Sequence, residues 1–575
     1  QNMANKEASA NNTLTETGNW RLNWQWTNTA TYTKKIHEDH NITVVLGTEA
    51  IKQGVGRYMQ GTRIDYIFES DPNTWTLDNG SSSNIGNSSR YQRKVTMFGL
   101  FGRADYSYKG KYLATFTIRR DASSKFGSKN RWGNFPSASL GWRMSDEKFM
   151  EPTRKWLDDF KLRAGYGTTG NSNIGSYNYA FQYGTGNYYM YPITGSDSET
   201  SPGYVLSNLG DSDAKWETTK MFNIGFDLTA LSNRLTAGFD FYVKNTSDLL
   251  VPANWSALVG NASKPSINIG DMKNRGIDLS IGWRDKVGEF GYNITANISR
   301  YKNEVTRLGS SDLFNDTRLS KVNITTVGQP VGMFYGYQID GIYQNEQDVI
   351  SSGVLPYGVA TENDLVASAW VGRYKMKDVN NDGKIDADDR TIIGNPHPDL
   401  TGGFNISLTW RDFDLSTYMY YSIGNDLYKH YEYYTMFGNL QSNYSKDRLA
   451  KSWDPVNNPN GIYPLWTTTS TEGPEAGNES NSNYVQDGSY LRMQTLTLGY
   501  SLPKKLLKKI GFEKIRVYGQ ISNVFTITGY DGLDPEVRSH TSFENEYVSS
   551  DMNKGIDYGS YGMPRQFLMG VNVTF

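Results

Sequence analysis

The chain has 575 residues, and its 58 Lys and Arg against 60 Asp and Glu leave a net charge of −2, which argues against nucleic acid held on a basic surface. The absence of cysteine removes disulfides, thiol catalysis and Cys-based metal sites together. With a mean hydropathy of −0.60 and no long apolar run, helical membrane spans are excluded as well.

A membrane barrel survives these exclusions, because its strands alternate apolar and polar residues and average out as hydrophilic. Tyr 40, Trp 14 and Phe 24 make 14% of the chain aromatic, the residue class that girdles a membrane interface. The sequence opens Gln1-Asn2-Met3-Ala4-Asn5 and runs on into polar residues with no visible signal peptide. For an exported protein, it is expected to begin after the processed N-terminus.

In chain order, a tight connection is predicted at Tyr108-Lys109-Gly110-Lys111, and a short helix from Asp146 to Asp159 around Phe149, Met150, Trp156 and Leu157. Tyr183, Tyr188, Tyr189 and Tyr191 cluster in a long polar stretch, where flat rings offer stacking faces for sugar. Phe222, Ile224, Phe226 and Leu228 then alternate with Asn223, Gly225 and Asp227, as a strand with one apolar face requires. A turn follows at Leu231-Ser232-Asn233-Arg234. The same alternation recurs in Ile277, Leu279, Ile281 and Trp283, in Tyr292, Ile294, Ala296 and Ile298, and in Phe404, Ile406, Leu408 and Trp410, with turns at 285–289 and Arg411-Asp412.

Between these strands, Asp378-Val379-Asn380-Asn381-Asp382-Gly383-Lys384-Ile385-Asp386-Ala387-Asp388-Asp389 carries calcium-loop spacing. Side-chain oxygens stand at Asp378, Asn380, Asp382, Asp386 and Asp389, Gly383 supplies the sharp turn, and Lys384 would use its carbonyl. The competing reading is an Asn-rich turn held by side-chain-to-backbone bonds. Asp389 in place of the longer Glu, and flanks that do not read as helices, weigh on that side. Tyr428, Tyr431, Tyr433, Tyr434 and Phe437 form a second aromatic cluster, which would equally serve substrate contact, loop packing or a protein partner. A second short helix is predicted over 503–511, with Pro503 near its start and Gly511 at its end. The chain closes on Phe567, Met569, Val571, Val573 and Phe575, alternating with Gln566, Leu568, Gly570, Asn572 and Thr574: lipid on one face, water on the other.

Short turns alternate with long polar stretches at roughly 55–94, 169–215, 245–273, 301–402, 423–487 and 526–564, the layout of short periplasmic turns and long extracellular loops. The expected fold is therefore all-β, a transmembrane antiparallel up-and-down β-barrel, with about fifteen strands of roughly ten residues in this chain. Catalysis is poorly supported and no organic cofactor is expected. The only close histidine pair is His37 and His40, and no zincin, nucleophile-elbow or phosphate-loop motif appears.

Several phrases resemble the barrel of SusC/RagA-type TonB-dependent transporters of Bacteroidetes. They are Arg119-Arg120-Asp121-Ala122-Ser123-Ser124-Lys125-Phe126-Gly127, Phe135-Pro136-Ser137-Ala138-Ser139-Leu140-Gly141-Trp142-Arg143, Leu162-Arg163-Ala164-Gly165-Tyr166-Gly167-Thr168-Thr169-Gly170-Asn171 and Trp216-Glu217-Thr218. Asn268-Ile269-Gly270-Asp271-Met272-Lys273-Asn274-Arg275-Gly276, Gly488-Ser489-Tyr490-Leu491-Arg492, Asn523-Val524-Phe525 and Gly532-Leu533-Asp534-Pro535-Glu536 follow in the family's order. Each phrase is weak alone; their order over nearly the whole chain carries the resemblance.

The resemblance implies a barrel of about 22 strands, plugged by an N-terminal domain, driven by TonB-ExbB-ExbD and covered by a SusD-like lipoprotein. Residues 1–575 would be the C-terminal portion of that barrel, with the plug and about seven leading strands on a separate N-terminal piece, since an odd set of strands leaves open edges in lipid. It implies active import of oligosaccharides, with peptides as the close rival, and a dimer of transporter–lipoprotein pairs in the outer membrane. A siderophore or cobalamin receptor and a passive porin are the alternatives. The SusC-like phrases count against the first, and the long 301–402 stretch against the second.

Overall fold

The computed structural model describes the chain except for residues 1–11, 66–70, 82–84, 92–93, 193–199, 253–261, 310–311, 316–318, 320, 438–442, 467–473, 505, 508–510, 538–549 and 560. Period-two alternation, broken by tight turns, folds into one antiparallel meander of fifteen strands. In chain order these are β1 (Thr13–Ile36), β2 (His40–Ile64), β3 (Val95–Tyr108), β4 (Tyr112–Ser123), β5 (Trp132–Arg143), β6 (Leu157–Asn171), β7 (Glu217–Ala230), β8 (Leu235–Pro252), β9 (Ser266–Val287), β10 (Phe290–Arg307), β11 (Leu400–Trp410), β12 (Phe413–Ile423), β13 (Tyr490–Ser501), β14 (Lys514–Thr528) and β15 (Gln566–Thr574). Each pairs with the next, and a short strand, Gly86–Tyr91, adds to the far end of β2.

The tight turns all lie at one end. Trp410 pairs with Phe413 across Arg411, whose φ is 54°, and Tyr108 pairs with Tyr112 across Lys109 and Gly110, at 54° and 70°. Positive φ at the first turn position matches the right-handed strand twist, so the left-handed cost to Arg411 and Lys109 is offset by an uninterrupted ladder. The long connections share the opposite end. Since Thr574 pairs with Lys514, the last strand finishes on the short-turn side, as the parity of the turns predicts.

Three expectations need correction. The strands run from 9 residues in β15 to 25 in β2, well beyond a membrane span. Much of the predicted 245–273 loop is ladder, with Leu250 paired to Asn268. The physical reason is that alternation marks only the stretch with lipid on one face. Above it the pattern is interrupted, here by register shifts on either side of Leu249 and by Leu250 packing onto a buried cluster, while the ladder continues. The Asp146–Asp159 helix is instead two 3-10 segments, Met144–Asp146 and Lys148–Lys155, because Pro152 cannot donate within a helix and Leu157–Asp159 already belong to β6. The predicted 503–511 helix falls partly outside the described residues.

The two faces separate by chemistry. Phe116, Ile118, Phe222, Ile224, Ile277, Ile281, Ile294, Ile298, Val571 and Val573 are exposed on the outer face. The inner face carries charge that is matched across strands. Arg163 donates to both carboxylate oxygens of Asp240 at 2.6 and 2.7 Å, and Arg516 donates to both oxygens of Asp414 at 2.8 and 2.5 Å. Arg119 bridges Asp121 at 2.8 Å and Glu49.

Candidate functional site

The long-loop end carries a rim, a buried aromatic body and a self-bonded acidic loop. At the rim, Trp216 packs its ring 5.2 Å from Phe126 and 5.4 Å from Phe135, and its indole N–H donates to the Arg131 carbonyl at 3.0 Å. A Cβ at Gly133 or Gly170 would overlap the Phe135 ring, so glycine at both positions is what admits it. Phe126, Phe135, Ile174, Ala214 and Trp216 make one buried cluster. Asn268 bonds the backbone of Lys215 beside it. Phrases that are separate in sequence, around residues 126, 135, 170, 216 and 268, are thus parts of one joint.

A second joint ties the last long loop to the wall. Arg492 on β13, 3% exposed, donates to Asp534, to Glu536 at 2.7 Å and to Thr526 Oγ1 at 3.0 Å. Burial alone would raise the Asp534 carboxyl, but the N–H groups of Met563 and Glu536 and the Arg492 guanidinium outweigh it and hold it below the usual range.

The body is built from the described residues within 313–399, 424–489 and 529–559, around Leu319, Phe334, Tyr374, Tyr428, Phe437, Trp453, Tyr463, Tyr484 and Ile556. Tyr428, a predicted substrate contact, is a correction. It is fully buried, stacked 5.3 Å from Tyr484, and its hydroxyl donates to Ser480 Oγ at 3.0 Å, so neither ring face is open to a ligand. Tyr431, Tyr433 and Tyr434 are partly buried nearby, with Tyr433 and Tyr434 edge to face at 5.2 Å. Tyr183, 69% exposed, lies on a separate hairpin of Gln182–Pro192 with Thr200–Asn208. Tyr188, Tyr189 and Tyr191 belong to the same strand, and their side chains lie outside the described residues.

Beside the Tyr428 stack, sequence reasoning passed over a buried polar group. Lys429 Nζ meets Glu432 at 2.6 Å and Asp531 at 3.4 Å, and the Tyr463 hydroxyl donates to Glu432 at 3.3 Å. Burial pushes the Glu432 carboxyl up against the opposing pull of Lys429. His430 lies 4.7 Å from Tyr558, and neither ring nitrogen has a hydrogen-bond partner among the described residues; burial pushes it down to about 4. Glu475 is 4% exposed, accepts the Tyr357 N–H at 2.6 Å, and is pushed up to about 7 by burial. The only sequence signal was the interleaving of charge with aromatics in Lys429-His430-Tyr431-Glu432.

In the acidic loop, Asp378 accepts the N–H groups of Asp382 at 3.2 Å and Gly383 at 2.8 Å, and Asn380 accepts that of Asp382 at 3.0 Å. Asp389 is fully buried and accepts from Val379 at 2.9 Å and Asp386 at 2.8 Å. Lys384 extends its ammonium to Asp386 at 2.5 Å and lies 3.8 Å from Asp382, which holds the Asp386 carboxyl below its ordinary range. As a fit test for a divalent cation, Asp378, Asn380 and Asp382 share one turn, but Asp389 is turned to the backbone and the loop's own ammonium holds Asp386. Among the described residues no group of three or more acidic or histidine side chains is arranged to hold a metal.

A family model described as TonB dependent receptor-like, beta-barrel, matches residues 2–524. The chain is similar to "TonB-dependent receptor P3" of Formosa agariphila, 34% identical over 497 residues, 85% of this chain and 46% of the relative. It is similar to "TonB-dependent receptor SusC" of Bacteroides thetaiotaomicron, 32% identical over 506 residues, 84% of this chain and 44% of the relative. The chain spans about half the length of these relatives. Among solved structures it resembles the RagAB peptide transporter with a TM-score of 0.76 at 25% identity, covering 96% of this chain and 56% of that one.

Proposed function

The chain belongs to the TonB-dependent receptor-like β-barrel family, and on that premise we propose that it forms most of the wall and the outer loop body of an energised outer-membrane importer of the SusC/RagA type. The observation that carries the reading is the joint occurrence of a charge-lined inner face and a large packed body over the long-loop end. A passive pore needs the first, but its external loops are usually shorter than the second requires. In the described residues β1 and β15 do not pair with each other. Open edges are not sustained in lipid, so the working barrel takes further strands from the rest of the transporter. A plug pulled by TonB-ExbB-ExbD and a SusD-like lipoprotein lid complete the machine, as a dimer of transporter–lipoprotein pairs.

The cargo we assign is an oligosaccharide. The support is the set of outward aromatic faces on the long-loop end, Tyr183, Tyr204 and Trp466, which suit sugar rings and carry no fixed charge. A peptide is the second reading, favoured by the fold's likeness to a solved peptide transporter. Calcium in 378–389 is a further proposal, as a brace for the loop and not a catalyst, and it requires Lys384 to give up Asp386.

The test is purification of the complex from native outer membranes, followed by denaturing mass spectrometry of everything bound. A co-purifying lipoprotein with bound glycan supports the assignment. Bound peptides move the cargo to the second reading, and a closed barrel with neither lipoprotein nor plug refutes active import.

A further inference from the structure

On the outer face of β7–β10 the apolar rows end abruptly toward the long-loop side. The last apolar outward residues are Phe222, Val243, Ile277 and Ile298, and beyond them stand Lys220, Lys273, Arg275, Arg300 and Lys302. The register makes these a patch. Ile277 is paired with Phe241 and Arg300, Arg275 with Val243 and Lys302, Lys273 with Asn245 and Glu304, and Asn245 with Lys220. Five cations face one carboxylate, Glu304. Lys220, Arg275, Arg300 and Lys302 are exposed, and none of the five cations makes an ion pair or side-chain hydrogen bond among the described residues. Arginines of the inner face do the opposite: Arg163 and Arg516 are each held by a carboxylate in two bonds.

Two physical points say that the patch is built for something. Arg275 lies directly opposite Lys302, with side chains starting roughly 5 Å apart, and like charges so placed destabilise a sheet. Its height also matters. Arg300 stands ten residues along β10 from Phe290, which at ~3.4 Å per residue and a strand tilt of ~40° is about 26 Å above the short-turn end. That is the top of an apolar band about 25 Å tall. Cations at that level meet headgroups, and the apolar rows below meet acyl chains.

We propose that this patch binds the phosphate of an outer-leaflet lipid, with Arg275 and Lys302 as its central donors, Arg300 and Lys273 flanking them, and the acyl chains lying over Phe222, Val243, Ile277 and Ile298. The anion removes the repulsion between Arg275 and Lys302, and the arginine fork suits two phosphate oxygens at once. A free phosphate would satisfy the cations but gain nothing from the apolar rows, so the lipid is the assigned ligand.

The test uses the complete transporter purified from native membranes and delipidated in a non-ionic detergent, read by native mass spectrometry. Monophosphoryl lipid A and its dephosphorylated form are the probes, with millimolar inorganic phosphate as competitor. The wild type should retain the phosphorylated lipid on the order of ten-fold or more over the dephosphorylated one, the scale of one or two charge-assisted bonds. The R275Q/K302Q variant should lose that preference. K220Q/K273Q, altered on strands β7 and β9, should weaken it, so a folding defect in one variant leaves the other to decide. Equal retention of both lipids by the wild type, or an unchanged preference in both variants, overturns the proposal. Displacement by inorganic phosphate also overturns it, by reassigning the patch to a soluble anion.

Discussion

Replacing Arg492 by Met should free the last long loop without unfolding the wall. The side chain is 3% exposed and makes three bonds, to Asp534, Glu536 and Thr526 Oγ1. The Glu536 side chain is 39% exposed, so its bond counts at the surface value of about 0–1 kcal/mol. The Asp534 bond is charge-assisted and nearly enclosed, worth about 1.5–3 kcal/mol, and the Thr526 bond adds about 1 kcal/mol. Asp534 keeps the N–H groups of Met563 and Glu536, so its carboxylate is not left wholly bare. The balance is about 3 kcal/mol for opening the loop, a rise of about 100-fold in its open population. Hydrogen exchange followed by mass spectrometry would read this directly. Peptides from 529–537 and 550–559 should lose protection by about that factor, while β13 and β14 keep theirs. Unchanged protection in the loop would refute the reasoning, and uniform loss across the wall would show Arg492 to be part of the barrel's own stability. Arg492→Lys keeps the charge but not the fork, and should fall between.

Three further outcomes are expected. Glu475 has its folded pKa raised by burial to about 7, so the folded body binds that proton more tightly than the unfolded chain. Its contribution is present in full below the ordinary Glu value and is lost as pH rises through about 7, up to about 3 kcal/mol. Limited proteolysis at about pH 5 and about pH 8 should show a body that loosens at the higher pH, and Glu475→Gln should flatten that dependence; a body that tightens with pH would refute the assignment. Trp216→Ala removes the ring between Phe126 and Phe135 and the bond to Arg131, and should cost about 3–5 kcal/mol locally, seen as early thermal exposure of 124–131 and 172–181. Millimolar calcium should protect 353–389 from protease in the wild type and not in Asp378→Asn, whereas indifference of the wild type would remove calcium from the loop.

Period-two patterning determined the all-β class, the outward face, the strand count and the sides of turns and loops, because a wall with lipid on one face and water on the other must repeat every second residue. The turns were legible for a related reason: a two-residue hairpin leaves few choices at positions such as Lys109-Gly110 and Arg411-Asp412. Strand ends were not legible. Once β8 and β9 rise out of the lipid band, register shifts around Leu249 and the packing of Leu250 onto a buried cluster break the alternation, although the ladder through Leu250 and Asn268 continues. The loop body was legible only as composition. Nothing local distinguishes Tyr428, sealed against Tyr484, from Tyr183, which stands open on its hairpin.

Tertiary structure alone made partners of the Trp216 and Phe135 phrases, of Arg492 with Asp534 and Glu536, and of Lys429 with Asp531. These partners stand up to about a hundred residues apart in the chain, and a contact at that separation is set by which strands and loops the fold brings side by side, which no short window of sequence contains.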